Sequence, residues 1–228
     1  MGMPTSWSQA SLASRGYDPS VNSLYTIGHS SHSWDQFLAL LEERSVDFVC
    51  DVRSSPYSRR FPQFDGRTMR PSLEKAGLKY LYLGDMLGGR GKTSSDYEGG
   101  RVSYTRLAAR KDFAAGLDRV RNGVAKYNVA LMCAEKDPAN CHRAILVCRH
   151  LRSESFAIRH ILSDGSLDGH KELELRLLRL NGLPDRDMFD STETLIERAY
   201  SLQEAKIAFA LPAPRGEHDE AVEEEGGE

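Results

Sequence analysis

The chain has 228 residues, 40% of them hydrophobic and 28% charged, with a net charge of −3, a globular composition that excludes a disordered, collagen-like or low-complexity chain. No apolar run approaches the ~20 residues of a membrane-spanning helix, and Met1–Ser23 has neither the basic nor the apolar region of a signal peptide. Four cysteines (Cys50, Cys133, Cys141, Cys148) are too few for a secreted disulfide scaffold, so the expectation is a single domain in a reducing cytoplasm, with no membrane partner.

After a polar lead-in, expected to be flexible over residues 1–22, Leu24–Ile27 is a short apolar run closed by Gly28, which predicts a strand and a turn. Ser33 and Gln36 form a capping pattern that opens a helix through Phe37, Leu38, Leu40 and Leu41. Val46–Cys50 predicts a second strand ending at Asp51. Residues 52–70 are aperiodic, Arg70-Pro71-Ser72 leads into a short helix to Ala76, and Gly77 stops it.

Leu78–Tyr82 predicts a third strand, followed by a glycine-rich loop to about Arg110 in which Gly88-Gly89, like Gly28, reads as a turn position with positive φ. Phe113, Leu117, Val120 and Val124 recur at helical spacing over 111–126. A fourth strand at Val129–Met132, a helix over 141–152, a fifth strand at Ala157–His160 and helices over 170–181 and 191–208 complete the pattern. Alternation of short apolar strands with helices predicts an α/β fold: one three-layer domain over residues 23–211, a mostly parallel sheet of about five strands, helices on both faces. Residues 215–228 set Arg215 against seven acids and leave residues 1–214 at +3. With little apolar surface to offset ordering entropy, residues 212–228 are expected to be a disordered acidic tail.

In an open α/β sheet the ligand crevice lies beyond the carboxyl ends of the strands. The segments that follow the strands here are rich in reactive side chains: Gly28-His29-Ser30, Asp51-Val52-Arg53 through Tyr57-Ser58-Arg59-Arg60, Gly84-Asp85 with Leu87-Gly88-Gly89-Arg90, and Cys133-Ala134-Glu135 through Cys141-His142-Arg143. The Tyr25–Ser30 start, the Asp-Val-Arg-Ser-x-Pro-x-Ser-Arg block (51–59), Phe61-Pro62-x-Phe64, Gly77–Gly89 and the Cys-Ala-Glu-x-x-Pro-x-x-Cys-His-Arg signature (133–143) resemble the DUF488 family of prokaryotic proteins, from about Tyr25 to Ile207. The resemblance implies an α/β fold and a motif-lined site; it assigns no reaction and no cofactor.

On chemistry alone, Cys141 beside His142 and Arg143 at a predicted helix start reads either as an activated thiolate or anion cradle, or as a half-buried cysteine with an arginine capping a neighbour. The spacing is not the Cys-x5-Arg loop of phosphatases. Cys133, Cys141, Glu135, His142 and His29 offer donors for zinc or iron, but Cys-x7-Cys-His is not a standard zinc spacing and no metal ligand set is assigned. Cys50 and Cys148 read as core. Arg53, Arg59, Arg60, Arg67 and Arg70 place five guanidiniums in 18 positions, interleaved with Tyr57, Phe61 and Phe64, which suits phosphate recognition with stacked bases or, more plainly, a surface loop anchored by its aromatics. Asp51 is expected to orient Arg53 or His29, and His29 is a candidate acid or base.

Two functions of different class follow. The first is an enzyme, a hydrolase or transferase, acting on a phosphate-bearing small molecule, nucleotide or nucleic-acid component, with Cys141, His29, Glu135 and Asp51 catalytic and Arg53, Ser58, Arg59, Tyr57, His142 and Arg143 holding the anion or substrate. The second is a nucleic-acid-binding module without turnover that uses loop 53–70. The sequence leaves the oligomeric state open.

Overall fold

The computed structural model describes residues 23–212; the lead-in over 1–22 and nearly all of the acidic tail lie outside the described residues. Strand β1 (Ser23–Gly28) is buried along its whole length, as the apolar run requires. Helix α1 (Trp34–Glu42) starts at the expected capping box, in which the Ser33 hydroxyl accepts from the Gln36 N–H and the Gln36 side chain accepts from the Ser33 N–H. Strand β2 (Phe48–Asp51) follows.

Helix α2 (Gly66–Lys75) begins five residues before Pro71, earlier than the proline suggested, capped by Asp65. Pro71 sits inside it, exposed, where the missing N–H costs one helical bond. Gly77 takes a positive φ just beyond the helix and hands the chain to β3 (Lys79–Tyr82). The stretch expected to be loop carries α3 (Gly84–Leu87), a small hairpin of β4 (Tyr97–Glu98) and β5 (Arg101–Val102), and α4 (Tyr104–Ala108). Elements this short bury too few residues to set a period. Helix α5 (Lys111–Val124) and β6 (Val129–Cys133) fall where predicted.

The helix expected over 141–152 is replaced by a wide π-type turn, Arg143–Val147, followed by a 3-10 turn, Cys148–His150. All five residues of the wide turn are buried, so the apolar run reflects burial all round rather than one helical face. Strand β7 (Ala157–Ile161) turns at Asp164-Gly165 into β8 (Leu167–Gly169), a three-residue strand that no period could reveal. Helices α6 (His170–Leu180) and α7 (Thr192–Ile207) close the fold.

The main sheet has six strands rather than five, in the order β3-β2-β6-β1-β7-β8, parallel except for β8. One face packs Tyr25, Ile27, Val49 and Met132 under Phe37, Leu41, Met69 and Leu73 of α1 and α2. The other packs Leu24, Cys50 and Leu131 under Phe113, Leu117, Leu177 and Tyr200 of α5, α6 and α7. The three-layer α/β domain is therefore as expected, and Cys50 and Cys148 are core thiols. Among the described residues no helix is long and apolar enough to cross a membrane.

The register matters most for function. β6 lies between β1 and β2, with Gly28 opposite Cys133 and Asp51 opposite Met132. The carboxyl ends of three neighbouring strands thus deliver His29, Asp51–Arg53 and Cys133 side by side.

Candidate active site

Cys133 ends β6, and the chain then loops out through Glu135 before Cys141 brings it back. The Sγ atoms of Cys133 and Cys141 each lie 2.9 Å from the same oxygen of Glu135, Oε2. Cys133 Sγ is also 3.6 Å from His142 Nδ1. His142 Nε2 is 2.9 Å from the Val52 carbonyl, which can only accept, so Nε2 carries a proton and Nδ1 faces the sulfurs, free to hold a second proton beside a thiolate or to offer its lone pair. Both thiols are buried and reduced, whereas Glu135 reaches to the surface.

Arg143 holds this loop in place. It is 0% exposed, and its guanidinium donates to the carbonyls of Glu135 (2.7 Å) and Lys136 (3.3 Å) and to the Thr26 hydroxyl (3.4 Å). No carboxylate pairs with it among the described residues. Expected to hold an anion, it spends its donors on the backbone and leaves a buried positive charge beside the two sulfurs. Gly28 lets the loop come this close: a Cβ there would stand 1.9 Å from the Glu135 carbonyl oxygen. Gly89 does the same for the ring of His142, 2.6 Å from a Cβ at that position.

The electrostatics follow from this crowding. Burial drives the Cys133 thiol well up. Burial pushes on Cys141 in the same sense, but hydrogen bonding from Cys133 and the charges of Arg143 and His142 outweigh it and hold Cys141 well below the ordinary thiol range. The pair titrates as a unit, with one proton given up readily and the other kept. Glu135 is raised, first by burial of its carboxyl group and then by the Cys141 charge, so it can accept the proton that Cys141 loses. His142 is raised by the neighbouring sulfur, against its burial.

Beside this cluster Asp51 and Arg53 form a buried, two-pronged ion pair: Arg53 Nε to Oδ1 at 2.9 Å and NH2 to Oδ2 at 2.6 Å. Tyr80 donates to Oδ2 at 2.9 Å. Every lone pair that Asp51 directs inward is occupied, which suits an orienting role and leaves none for proton transfer. Arg53 NH1 reaches His29 Nε2 at 3.3 Å while His29 Nδ1 donates to the Ser30 carbonyl. Burial, then the Arg53 charge, lowers the His29 pKa to about 4. His29 is neutral at pH 7 with both nitrogens engaged, a positioning residue in this arrangement.

Loop 53–70 divides in two. Phe64 is buried and stacks on His29, with ring centroids 4.5 Å apart, and Phe61 is half-buried; both anchor the loop, and of the three aromatics only Tyr57, 59% exposed, offers a free face. Ser58 accepts from the Phe61 N–H and shapes the turn. Arg67 pairs with Asp65 and Arg70 lies over Tyr80, while Arg59 and Arg60 are exposed and pair with no carboxylate among the described residues. Arg90, on the turn that packs against His142, is likewise exposed.

Sequence reasoning missed Tyr80, Thr26 and the packing roles of Gly28 and Gly89. The expected positive φ is absent at Gly28, Gly88 and Gly89 and occurs instead at Gly77, Gly99, Gly100, Gly165 and Gly182. Close backbone approach leaves the same glycine in a sequence as a turn does. His160 and Asp164 stand apart from the cluster, His160 buried between Thr26 and His170 and Asp164 in the β7–β8 turn. A broad cleft lined by Arg44, Arg159, Asp168 and Glu193 opens at the amino ends of β1 and β7, away from the thiols.

No curated protein matches the chain. A solved structure named "Putative phosphatase (DUF442)", from Shewanella putrefaciens CN-32, overlaps 81% of this chain and 87% of its own at 10% identity and a TM-score of 0.36. At that level neither topology nor activity transfers. The family model covers less than the motif resemblance, leaving β1 and His29 before its start. Over residues 33–149, just over half of its length, the chain matches the family described as Domain of unknown function DUF488, and it belongs to that family.

Proposed function

We propose that this protein is an enzyme, a hydrolase or transferase, whose reactive centre is the cluster of Cys133, Glu135, Cys141 and His142. The observation that carries the reading is the convergence of two buried thiols on one carboxylate oxygen beside a buried guanidinium. A structural core has little use for that arrangement, whereas a nucleophile and its proton acceptor require it. Cys141 gives its proton to Glu135 and attacks an electrophilic centre. The leaving group departs with the bonding electron pair and takes the proton from Glu135, and water or a second substrate then releases the group from sulfur. Arg143 and His142 stabilise the thiolate; Asp51 and His29 hold the buried Arg53 beside the cluster.

The substrate class is a phosphate-bearing small molecule, nucleotide or nucleic-acid component. Support comes from the carboxylate-free Arg59, Arg60 and Arg90 on loops leaving the same end of the sheet. Arg53 and Arg143 are committed elsewhere, so the anion-binding role narrows to these three. Anchoring of Phe61 and Phe64 leaves the module without turnover little stacking surface, and no observation favours it.

Turnover of a panel of nucleoside mono- and diphosphates and small phosphate esters, followed by mass spectrometry, tests the proposal. The expected result is a reaction abolished in Cys141→Ser and slowed in Glu135→Gln, with a raised KM in Arg59→Ala/Arg60→Ala. Turnover that persists in Cys141→Ser would remove the nucleophile; no turnover of any phosphate compound would remove the substrate class.

A further inference from the structure

We propose that Cys133, Glu135, Cys141 and His142 form a four-donor site for a single borderline-soft divalent cation of the zinc class. The inference rests on the same cluster being the reactive centre and changes the part Cys141 plays there, from free thiolate to ligand. One ligand atom from each residue, two sulfurs, one imidazole nitrogen and one carboxylate oxygen, lies within 4.8 Å of all the others. Bonds of ~2.3 Å to sulfur and ~2.0 Å to nitrogen or oxygen put the corners of a tetrahedron about 3.3–3.8 Å apart. The Cys133 Sγ to His142 Nδ1 separation of 3.6 Å already meets this. The two sulfur–oxygen separations of 2.9 Å need to open by about half an ångström, and the surface-reaching Glu135 side chain can supply that movement.

Three independent features support a cation over a bare thiol pair. First, His142 is held as metal-bound histidines are: the outer nitrogen donates to a backbone carbonyl, Val52 O, and the inner one faces the donors. Second, the loop bearing Glu135 is fixed by buried side-chain-to-backbone bonds from Arg143 and by the Gly28 contact, so three of the four donors sit on a rigid frame. Third, the charges close: two thiolates and a carboxylate carry −3, a divalent cation +2, and the buried, otherwise unpaired Arg143 supplies the remaining +1. Two sulfurs with one nitrogen and one oxygen favour zinc over magnesium or calcium, which prefer all-oxygen sites. The Cys-x7-Cys-His spacing hides the site because its donors come from a strand end and from the turn that returns to it.

The test is titration of Co2+ into the chelator-treated full-length protein, read by thiolate-to-cobalt absorption and competed with Zn2+. One Co2+ per chain with that absorption, displaced by Zn2+, is the expected result, and the absorption is lost in Cys133→Ser/Cys141→Ser. Glu135→Gln alters a surface-reaching side chain, keeps the fold by circular dichroism and binds at least ~10-fold more weakly. Absence of the absorption with excess Co2+, or its persistence in the double variant, overturns the site. The readout needs no substrate: cobalt binding without any phosphate-ester turnover sinks only the phosphate-substrate reading, and Cys141-dependent turnover without cobalt binding sinks only the cation.

Discussion

Cys133 and Cys141 stand eight residues apart in the chain and share a single oxygen of Glu135, each sulfur 2.9 Å from it. The loop between them is shaped to make this happen, with Arg143 beneath it, Gly28 against it and His142 turned inward by Val52. Substitution at Arg143 and at Gly28 tests two of these supports.

Removing the Arg143 guanidinium strands the carbonyls of Glu135 and Lys136 in the interior. Arg143→Leu is therefore expected to lower stability by about 2–4 kcal/mol, the cost of lost charge-assisted bonds and unpaired buried acceptors. Arg143→Lys keeps the charge but not the forked geometry and falls between. Urea unfolding of the three proteins checks the order; a wild-type midpoint for Arg143→Leu would show that the loop does not depend on it.

Gly28, the last residue of β1, and Gly77, just before β3, are glycines for different reasons. Gly28→Ala drives a methyl into the Glu135 carbonyl and is expected to cost about 3 kcal/mol by overpacking. Gly77→Ala meets no atom but keeps a positive φ, a strain of about 1–2 kcal/mol. Only the first should change the ultraviolet titration of the thiols. Equal effects of the two on that titration would remove the close-approach argument.

Burial lowers His29 and His170 each to about 4 and His160 well below its ordinary value. Unfolding returns each to about 6.5, so between these values the unfolded chain binds more protons and stability falls as the pH drops. His29 and His170 are each expected to withdraw on the order of 3 kcal/mol by pH 4, with little change above pH 7. Denaturant midpoints at pH 7, 6 and 5 read the slope. Substituting Asn for His29 or Gln for His170 should flatten it, and an unchanged slope would mean that the rings are not buried neutral.

Arg59→Ala/Arg60→Ala removes two exposed charges with no carboxylate partner among the described residues, of which Arg60 lies over the Phe61 ring, so stability should shift by no more than about 1 kcal/mol. Binding of a nucleoside diphosphate, measured calorimetrically, is expected to weaken in the variant and to depend less steeply on salt. Equal, salt-insensitive binding by both proteins would take the loop out of substrate recognition.

Much of this was legible in the residues. The apolar runs at Leu24, Val129 and Ala157 mark buried parallel strands, and the Ser33–Gln36 pair marks a helix start, because burial and capping act over a few residues. β8, the β4–β5 hairpin and the wide turn at Arg143–Val147 were not legible, since they are fixed by tertiary contact rather than local period. At the site, the side chains of the 133–143 signature were readable as chemistry, but their roles were not. Nothing in the order of letters shows that Arg143 points at backbone, that Phe64 stacks on His29, or that Tyr80 completes Asp51 from the neighbouring strand.

Absorbance of the thiolate as a function of pH, in chelator-treated protein, tests the shared-oxygen cluster most directly. One sulfur is expected to ionise well below the ordinary thiol range, with that step missing in Cys141→Ser and displaced in Glu135→Gln. Four thiols that stay protonated until the chain unfolds in alkali would contradict the account.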